Sequence, residues 1–148
     1  MSTTLQVHLW DARPNDYHGM AAVERDVFEH PYGTSDFIRI HRNAHVYTLV
    51  ATIDPGGNQV VGYLTYQRKK RSIQVTRIAV SPPYQRQGVG TQLLKKVERM
   101  YSKRDRIFVD VPEEDLRCQL WLRSCGYLAV VRNVRGRVVY RFSMYLEG

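Results

Sequence analysis

One segment constrains the fold of this chain more than any other, residues 74–97, QVTRIAVSPPYQRQGVGTQLLKKV. Branched apolar residues up to Val80 predict a strand, and the two prolines and two glycines that follow predict a tight loop. Apolar residues then recur at helical spacing. The sequence therefore predicts a strand that passes through a short loop into an amphipathic helix beginning near Gly88.

The start of that helix has the chemistry of an anion-binding site, because a first helical turn leaves backbone N–H groups unpaired at the positive end of the dipole. Gly88 and Gly90 lack a Cβ that would keep a phosphate away, and Arg86 adds positive charge. No Walker A run occurs, and the third glycine or alanine of a dinucleotide fingerprint would fall at Leu93. A helix start that binds nothing is the alternative interpretation.

The whole chain is predicted to form one α/β (α+β) domain, residues 1–148, because its length suits a single core and no repeat or linker divides it. The order of apolar patterns predicts a mixed sheet with helices on both faces. The predicted strands are 5–10, 45–53, 59–67, 72–80, 106–111, 127–134 and 137–146, and the predicted helices are 16–28, 35–42, 88–102 and 112–125. Turns are expected at 54–58 and 67–71, and Trp10 and Trp121 are expected in the core.

The formal net charge of +8 favours an anionic partner: a phosphate-bearing cofactor, a nucleic acid or an acidic protein surface. Nucleic acid is the minority interpretation, because the densest basic run, 67–71, is predicted to be a solvated turn. No apolar run reaches membrane length and no signal peptide is evident, so a cytoplasmic location is expected. No metal is expected, because the histidines, Cys118 and Cys125 lack metal-ligand spacing.

RIAVSPPYQRQGVGTQLL resembles the acyl-CoA-binding segment of the GNAT N-acyltransferases. In that segment a Gln or Arg is followed after two spacer residues by Gly, and after one more spacer residue by Gly or Ala. Gln85, Gly88 and Gly90 fit that pattern. The resemblance implies the GNAT fold, a mostly antiparallel sheet of about six to seven strands, and acetyl-CoA as cosubstrate. The residues it implies at the cofactor are Ile78, Ala79 and Val80 along pantetheine, and Gln85, Arg86, Gln87, Gly88, Val89, Gly90 and Thr91 around the pyrophosphate.

VERDVFEHPYGTSDF resembles the acceptor segment of the ribosomal-protein and peptide N-terminal (alanine) acetyltransferases. Glu24, Pro31, Tyr32 and Phe37 have the family's spacing, although Tyr32 replaces the usual Trp. The resemblance implies that Glu24, Pro31 and Tyr32 bind the acceptor. The alternative from the residues themselves is a helix end followed by an aromatic plug of the core.

DVPEEDLRCQLWLRSCGY is similar to the family's catalytic strand and helix. By this resemblance Asp110 stands where a glutamate acts as general base, and Asp115 stands at the CoA-facing asparagine. The tyrosine that gives a proton to the leaving thiolate falls on Leu122, a departure from the family. The alternative for Asp110 is a strand-end acid that caps the next helix; Tyr32, Tyr84 and Tyr140 are substitute proton donors.

The resemblance implies an acetyl-CoA-dependent N-acetyltransferase that works by direct attack of an amine, with the N-terminal amine of a protein or peptide as acceptor. Two alternatives stay open. One is acetylation of a lysine or a small amine, such as a polyamine or aminoglycoside. The other is a catalytically silent acyl-CoA-binding module, which Leu122 and the short Asp110 side chain motivate. A monomer or homodimer without a membrane partner is expected.

Overall fold

Seven strands form one sheet in this protein, seen in a computed structural model that describes residues 4–54, 59–101 and 105–146. The strands are β1 (His8–Asp11), β2 (Val46–Ile53), β3 (Gln59–Arg68), β4 (Ser72–Val80), β5 (Arg106–Pro112), β6 (Leu128–Val134) and β7 (Arg137–Tyr145). Their order is β1-β2-β3-β4-β5-β7-β6. All neighbours are antiparallel except β4 and β5. The predicted mixed, mostly antiparallel sheet is confirmed.

Helices cover both faces of the sheet, as predicted. They are α1 (Tyr17–Val27), α2 (Thr34–Ile40), α3 (Val89–Met100) and α4 (Leu116–Ser124). The apolar stripe of α3 and residue Leu122 of α4 enter a large cluster on one face. On the other face, α1 and α2 bury Met20, Val23 and Phe37 against β2, β3 and β4. Each cluster removes the apolar stripe of its helices from water, which is the main favourable term in folding.

Three sequence-based expectations were wrong in detail. Helix α4 begins at Leu116 rather than at 112, because Asp115 accepts the N–H of Cys118 and caps the helix there. Trp10 is 40% exposed, since it lies on the edge strand β1 and stacks against His8. Strand β1 begins at His8 rather than at residue 5. The predicted turn at 54–58 lies outside the described residues except for residue 54, and the predicted end of the third helix at 102 lies outside them.

An opening within the sheet positions the site. Strands β4 and β5 pair only from Ser72 opposite Arg106 to Val75 opposite Val109, although both continue further. The next residue of β4, Thr76, is the extra residue of a bulge against β3. Beyond it, β4 has no strand partner among the described residues on its β5-facing edge, and at the end of that edge the Val80 carbonyl accepts a side-chain hydrogen bond from Gln85.

Leu122, which by the resemblance stands where a tyrosine is usual, is a core residue here, since it is fully buried. We expect Leu122→Ala to lower the free energy of unfolding by about 2–5 kcal/mol through the cavity it leaves. The control on the same helix is Leu120→Ala, because Leu120 is 68% exposed; it should change stability by less than about 0.5 kcal/mol. Urea denaturation measures both, and equal losses in the two variants would contradict the assignment of Leu122 to the core.

Candidate active site

The loop between β4 and α3 leaves several consecutive backbone N–H groups without a hydrogen-bond acceptor in the described part of the chain. Gly88 caps α3 in the left-handed conformation, with φ of 82°, and Arg86 is also left-handed, with φ of 64°. The N–H groups of residues 88–91 have no hydrogen-bond acceptor among the described residues. Consecutive free N–H groups at a helix start form a concave anion site. The geometry of the loop is therefore compatible with an anion such as a pyrophosphate.

Side-chain amides fix the shape of this loop. Gln85 donates from Nε2 to the carbonyl of Val80 at 2.9 Å, so its amide holds the end of β4. Gln92 donates from Nε2 to the carbonyls of Leu5 at 2.6 Å and Gly88 at 3.1 Å. The chain before β1 thereby braces the loop. Sequence reasoning missed Gln92, because its partner at Leu5 is distant along the chain.

Helix α4 packs against the first turn of α3. Trp121 donates from Nε1 to the Thr91 hydroxyl at 3.0 Å, and a Cβ on Gly90 would lie 3.3 Å from the Trp121 ring. Gly90 thus makes room for a tryptophan, which is a different reason from the close phosphate approach that the sequence suggests. Asp115 uses its carboxylate to cap α4.

A cleft of about 160 Å³ opens on the α1 and α2 face of the sheet. It is lined by Tyr32, Phe37, Ile40, Val46, Thr65, Gln67, Thr76 and Arg77. Thr76 and Arg77 belong to β4, at the point where its pairing with β5 has just ended. The cleft and the N–H groups of the loop therefore lie at opposite ends of one free strand edge.

A buried carboxylate organises one wall of this cleft. Glu24 is fully buried and accepts hydrogen bonds from the Arg77 Nε at 2.7 Å and Nη2 at 2.6 Å, from the Tyr63 hydroxyl, and from the Tyr32 backbone N–H at 2.8 Å. The Arg77 guanidinium lies 3.7 Å from the Tyr32 ring centroid. Glu24 thus positions Tyr32 and Arg77, which line the cleft. Pro31, which directly precedes Tyr32 in the sequence, is exposed.

The Arg77 guanidinium remains charged despite partial burial. Burial alone would lower its pKa, but the hydrogen bonds and negative charge of Glu24 outweigh that effect and raise the pKa. Arg77 was not predicted as a site residue. The signal in the sequence is a charged residue within the otherwise apolar RIAV strand.

Asp110 lies on β5 one residue beyond the last pair with β4, and Arg141 of β7 holds it. Arg141 donates from Nε to Oδ1 at 2.8 Å and from Nη2 to Oδ2 at 2.9 Å. These hydrogen bonds lower the pKa of Asp110; burial opposes them, and the charges of Arg141, Arg132 and Lys69 assist. Asp110 is therefore a carboxylate at neutral pH, and it pairs across the sheet rather than capping α4.

The three substitute tyrosines lie in different places. Tyr32 lines the cleft. Tyr84 lies in the β4–α3 loop, where its hydroxyl accepts a hydrogen bond from Gln59 Nε2 at 3.3 Å. Tyr140 packs against the cluster beneath α3 and α4, whereas its β7 neighbour Arg141 contacts Asp110. Tyr32 is thus the one of the three that lines the cleft.

A chain of hydroxyls joins the cleft to His41 and was not predicted. Thr65, in the cleft wall, lies 2.7 Å from the Thr48 hydroxyl, which lies 2.7 Å from His41 Nε2. His41 Nδ1 lies 2.8 Å from the Phe37 carbonyl, which can only accept, so Nδ1 carries a proton. With a neutral ring, Thr65 donates to Thr48 and Thr48 to His41. Thr65 then presents lone pairs to the cleft.

A profile of the acetyltransferase (GNAT) family matches residues 10–127 of this sequence. The chain belongs to the GNAT family. The match covers both the β4–α3 loop and the residues that line the cleft, so the predicted membership is confirmed. Comparison with curated protein sequences found no match.

Solved GNAT structures superpose over nearly the whole chain. The ribosomal-protein-S18-alanine N-acetyltransferase of Escherichia coli has a TM-score of 0.79 at 16% identity, covering 97% of this chain and 96% of that chain. NAA60 of Arabidopsis thaliana, in complex with acetyl-CoA, has a TM-score of 0.76 at 14% identity, covering 97% and 100%. A nourseothricin acetyltransferase has a TM-score of 0.71 at 15% identity, covering 95% and 99%. At these identities the likeness shows the shared fold.

Residues 4–54, 59–101 and 105–146 contain no group of three or more His, Cys, Asp or Glu side chains arranged to hold a metal ion. None of the helices in those ranges has the length and apolar character that a membrane crossing requires. Cys118 and Cys125 are free thiols.

Glu24 should be essential to the stability of the cleft wall. Because Glu24→Gln leaves the half-buried Arg77 without its carboxylate, we expect a loss of about 3–5 kcal/mol in the free energy of unfolding. Arg39→Met removes a surface pair with Asp36, whose arginine side chain is 69% exposed, and should cost less than about 1 kcal/mol. Denaturant unfolding measures the stability of both variants. The double variant Glu24→Gln/Arg77→Met is expected to regain part of the stability that Glu24→Gln loses. A Glu24→Gln variant as stable as the wild type would contradict the proposed importance of the Glu24–Arg77 pair.

Pairing with Arg141 should make Asp110 contribute to stability in a pH-dependent way. A lowered pKa in the folded state adds stability above the ordinary aspartate pKa of about 3.9, and that stability is lost as the pH falls through the lowered pKa. Asp110→Asn should therefore be less stable than the wild type at pH 7, with the gap closing in acid. Urea denaturation across pH measures the gap, and a gap independent of pH would refute this role.

Proposed function

We propose that this protein is an acetyl-CoA-dependent N-acetyltransferase whose acceptor is the N-terminal amine of a protein or peptide. One observation carries the proposal: the free edge of β4 joins an anion site at residues 86–91 to a cleft beside Thr76 and Arg77. A transferase needs a donor site and an acceptor site that meet. The donor arm would lie along Ile78, Ala79 and Val80, between the two sites.

The residues at the donor site fit acetyl-CoA. The free N–H groups of residues 88–91, with Arg86 beside them, suit its pyrophosphate, and the unpaired edge of β4 can hydrogen-bond the amides of pantetheine. The carboxylate of Asp115, at the start of α4, stays a proposed contact. When bound, acetyl-CoA supplies the acetyl group as a thioester. The NAA60 complex with acetyl-CoA supports the same use of this fold.

The acceptor cleft suits a small amino-terminal residue. Its volume of about 160 Å³ and its walls of Tyr32 and Phe37 would enclose one small side chain. Thr65 offers lone pairs to an incoming ammonium. The related fold of an S18-alanine N-acetyltransferase supports a peptide acceptor. The fold of a nourseothricin acetyltransferase supports a small amine as the second candidate.

Asp110 is the proposed general base, since an amine attacks only after losing a proton. Its carboxylate is ionised at neutral pH and lies at the mouth of the opening between β4 and β5. Because the pKa is lowered, Asp110 would pass the proton to solvent rather than retain it. Backbone N–H groups on the edge of β4 would stabilise charge on the carbonyl oxygen. The Tyr32 hydroxyl is the proposed donor to the leaving thiolate, since Leu122 cannot serve.

The test is release of free CoA thiol with peptides that have free N termini, peptides with blocked N termini that contain lysine, and small amines. Turnover is expected with free N termini, and Asp110→Asn should lower kcat about 100-fold or more. Glu113→Gln, an exposed acid nearby, is the control and should leave kcat unchanged. Turnover with small amines alone would overturn the peptide assignment.

Calorimetry with CoA tests the donor site separately. Gly88→Val should abolish binding, because a branched residue strongly disfavours the left-handed conformation of Gly88. Wild-type binding without acetyl transfer to any acceptor would instead identify a silent acyl-CoA-binding module. The boundaries of the domain at 1–148, a cytoplasmic location, a monomer or homodimer, and the lack of a metal or nucleic-acid partner stay predictions.

A further inference from the structure

The half of the sheet beside the acceptor cleft presents an open face. The apolar cluster beneath α1 and α2 contains residues of β2, β3 and β4, and none from β5, β7 or β6. In the register of these last three strands, Asp110 lies opposite Arg141, and Arg141 lies opposite Val130. Val130 is 65% exposed. This open face therefore begins at the catalytic opening and extends away from it.

Three cations converge on one aromatic ring of this face. The Phe108 ring centroid is 4.2 Å from the Arg141 Cζ, 4.8 Å from the Arg106 Cζ and 5.5 Å from the Lys69 Nζ. The ring is buried, 2% exposed, beneath these side chains. Arg132 follows Val130 by two residues on β6, so strand alternation places its side chain on the same face. We name Phe108 with Lys69, Arg106, Arg132 and Arg141 the Phe108 patch.

The Phe108 patch has a surplus of positive charge. Its four cations face one carboxylate, Asp110, and both oxygens of that carboxylate are taken by Arg141. Within the described residues, Lys69, Arg106 and Arg132 have no ion-pair partner. Like charges held together repel each other, and an anion bound among them relieves that repulsion. The patch is therefore complementary to negative charge.

The position and length of the patch indicate what kind of anion it meets. From Asp110 to Arg106, β5 spans four residues, or about 13 Å at about 3.3 Å per residue. At the far end, Arg71, Ser72, Arg106 and Tyr145 line a second groove of about 340 Å³. An extended peptide with its amine at Asp110 would place roughly its third to sixth residues over this surface.

We infer that the acceptor polypeptide carries aspartate or glutamate within about its third to sixth residues, and that the Phe108 patch binds those side chains. This inference rests on the proposed peptide N-acetyltransferase function and specifies its acceptor. The carboxylates would hydrogen-bond the guanidinium groups of Arg106 and Arg132 and the ammonium of Lys69. Charge at this distance from the amine acts on binding rather than on the chemical step, so it should change KM more than kcat.

The experiment uses three peptides with the same two N-terminal residues, followed by four glutamates, four glutamines or four lysines. At low ionic strength, kcat/KM should be about tenfold higher for the glutamate peptide than for the glutamine peptide, and lowest for the lysine peptide. Added salt should reduce the difference. The variant Lys69→Gln/Arg106→Gln should lower the ratio of kcat/KM for the glutamate peptide to kcat/KM for the glutamine peptide by about threefold to tenfold.

The matched control is Arg99→Gln/Arg123→Gln, which removes two exposed arginines from α3 and α4 on the other face of the sheet. It lowers the net charge equally, so it should retain the preference. Equal kcat/KM for the three peptides would overturn the inference and leave the acetyltransferase function intact. So would a loss of the preference in the control, which would assign it to overall charge.

Calorimetric titration of the same peptides separates binding from turnover. If the glutamate peptide binds more tightly and this advantage is lost in Lys69→Gln/Arg106→Gln, the Phe108 patch binds acidic peptides. If no acetyl group is transferred in the same experiments, the proposed transferase function is overturned while the inference about the patch stands. A single-stranded RNA oligomer is titrated in parallel. RNA binding that needs Lys69 and Arg106, with no preference among the peptides, would overturn the inference and assign the surface to nucleic acid.

Discussion

The early end of pairing between β4 and β5 is the constraint on which the site depends. Within a sheet, a strand normally satisfies its backbone groups on both sides, but β4 has a free edge after Val75. The bulge at Thr76 turns Arg77 towards α1, and the free edge runs on to Val80. Both ligands proposed for this GNAT protein meet at that edge, the donor from the loop end and the acceptor from the cleft end.

Two buried or half-buried ion pairs keep the opening in shape. Glu24 joins α1 to β4 through Arg77 and fixes the backbone of Tyr32, while Asp110 joins β5 to β7 through Arg141. One pair lies on each side of the opening. Because a buried charge is costly when it loses its partner, both pairs resist a collapse of the cleft. The same arrangement leaves the Glu24 side chain fully buried.

Local sequence was enough to predict the β4–α3 loop, because a strand end, a left-handed glycine and a helix start are consecutive in the chain. The shape of the cleft depends on the register of distant strands. The hydroxyl chain from Thr65 through Thr48 to His41 joins β3, β2 and the end of α2, and no spacing in the sequence brings these residues together. The sequence likewise did not show that Gly90 makes room for Trp121, since Trp121 belongs to another helix. Trp10 was wrongly placed because hydrophobicity alone does not reveal an edge strand.

The arrangement of the basic side chains also depends on the pairing of distant strands. The net charge of +8 is visible in the composition, but its concentration around Phe108 results from pairing among β5, β7 and β6. The β3–β4 turn then brings Lys69 to the same ring. Charge that the sequence presents as scattered residues becomes a surface next to the cleft only after the sheet has formed.

The central claim, transfer of an acetyl group to an N-terminal amine, is tested most directly by locating the acetyl group. A peptide with a free N terminus and an internal lysine, incubated with the protein and acetyl-CoA, is fragmented and analysed by mass spectrometry. The acetyl group is predicted on the α-amine. Acetylation of the lysine side chain alone, or an unmodified peptide from a protein that binds CoA, would contradict the account.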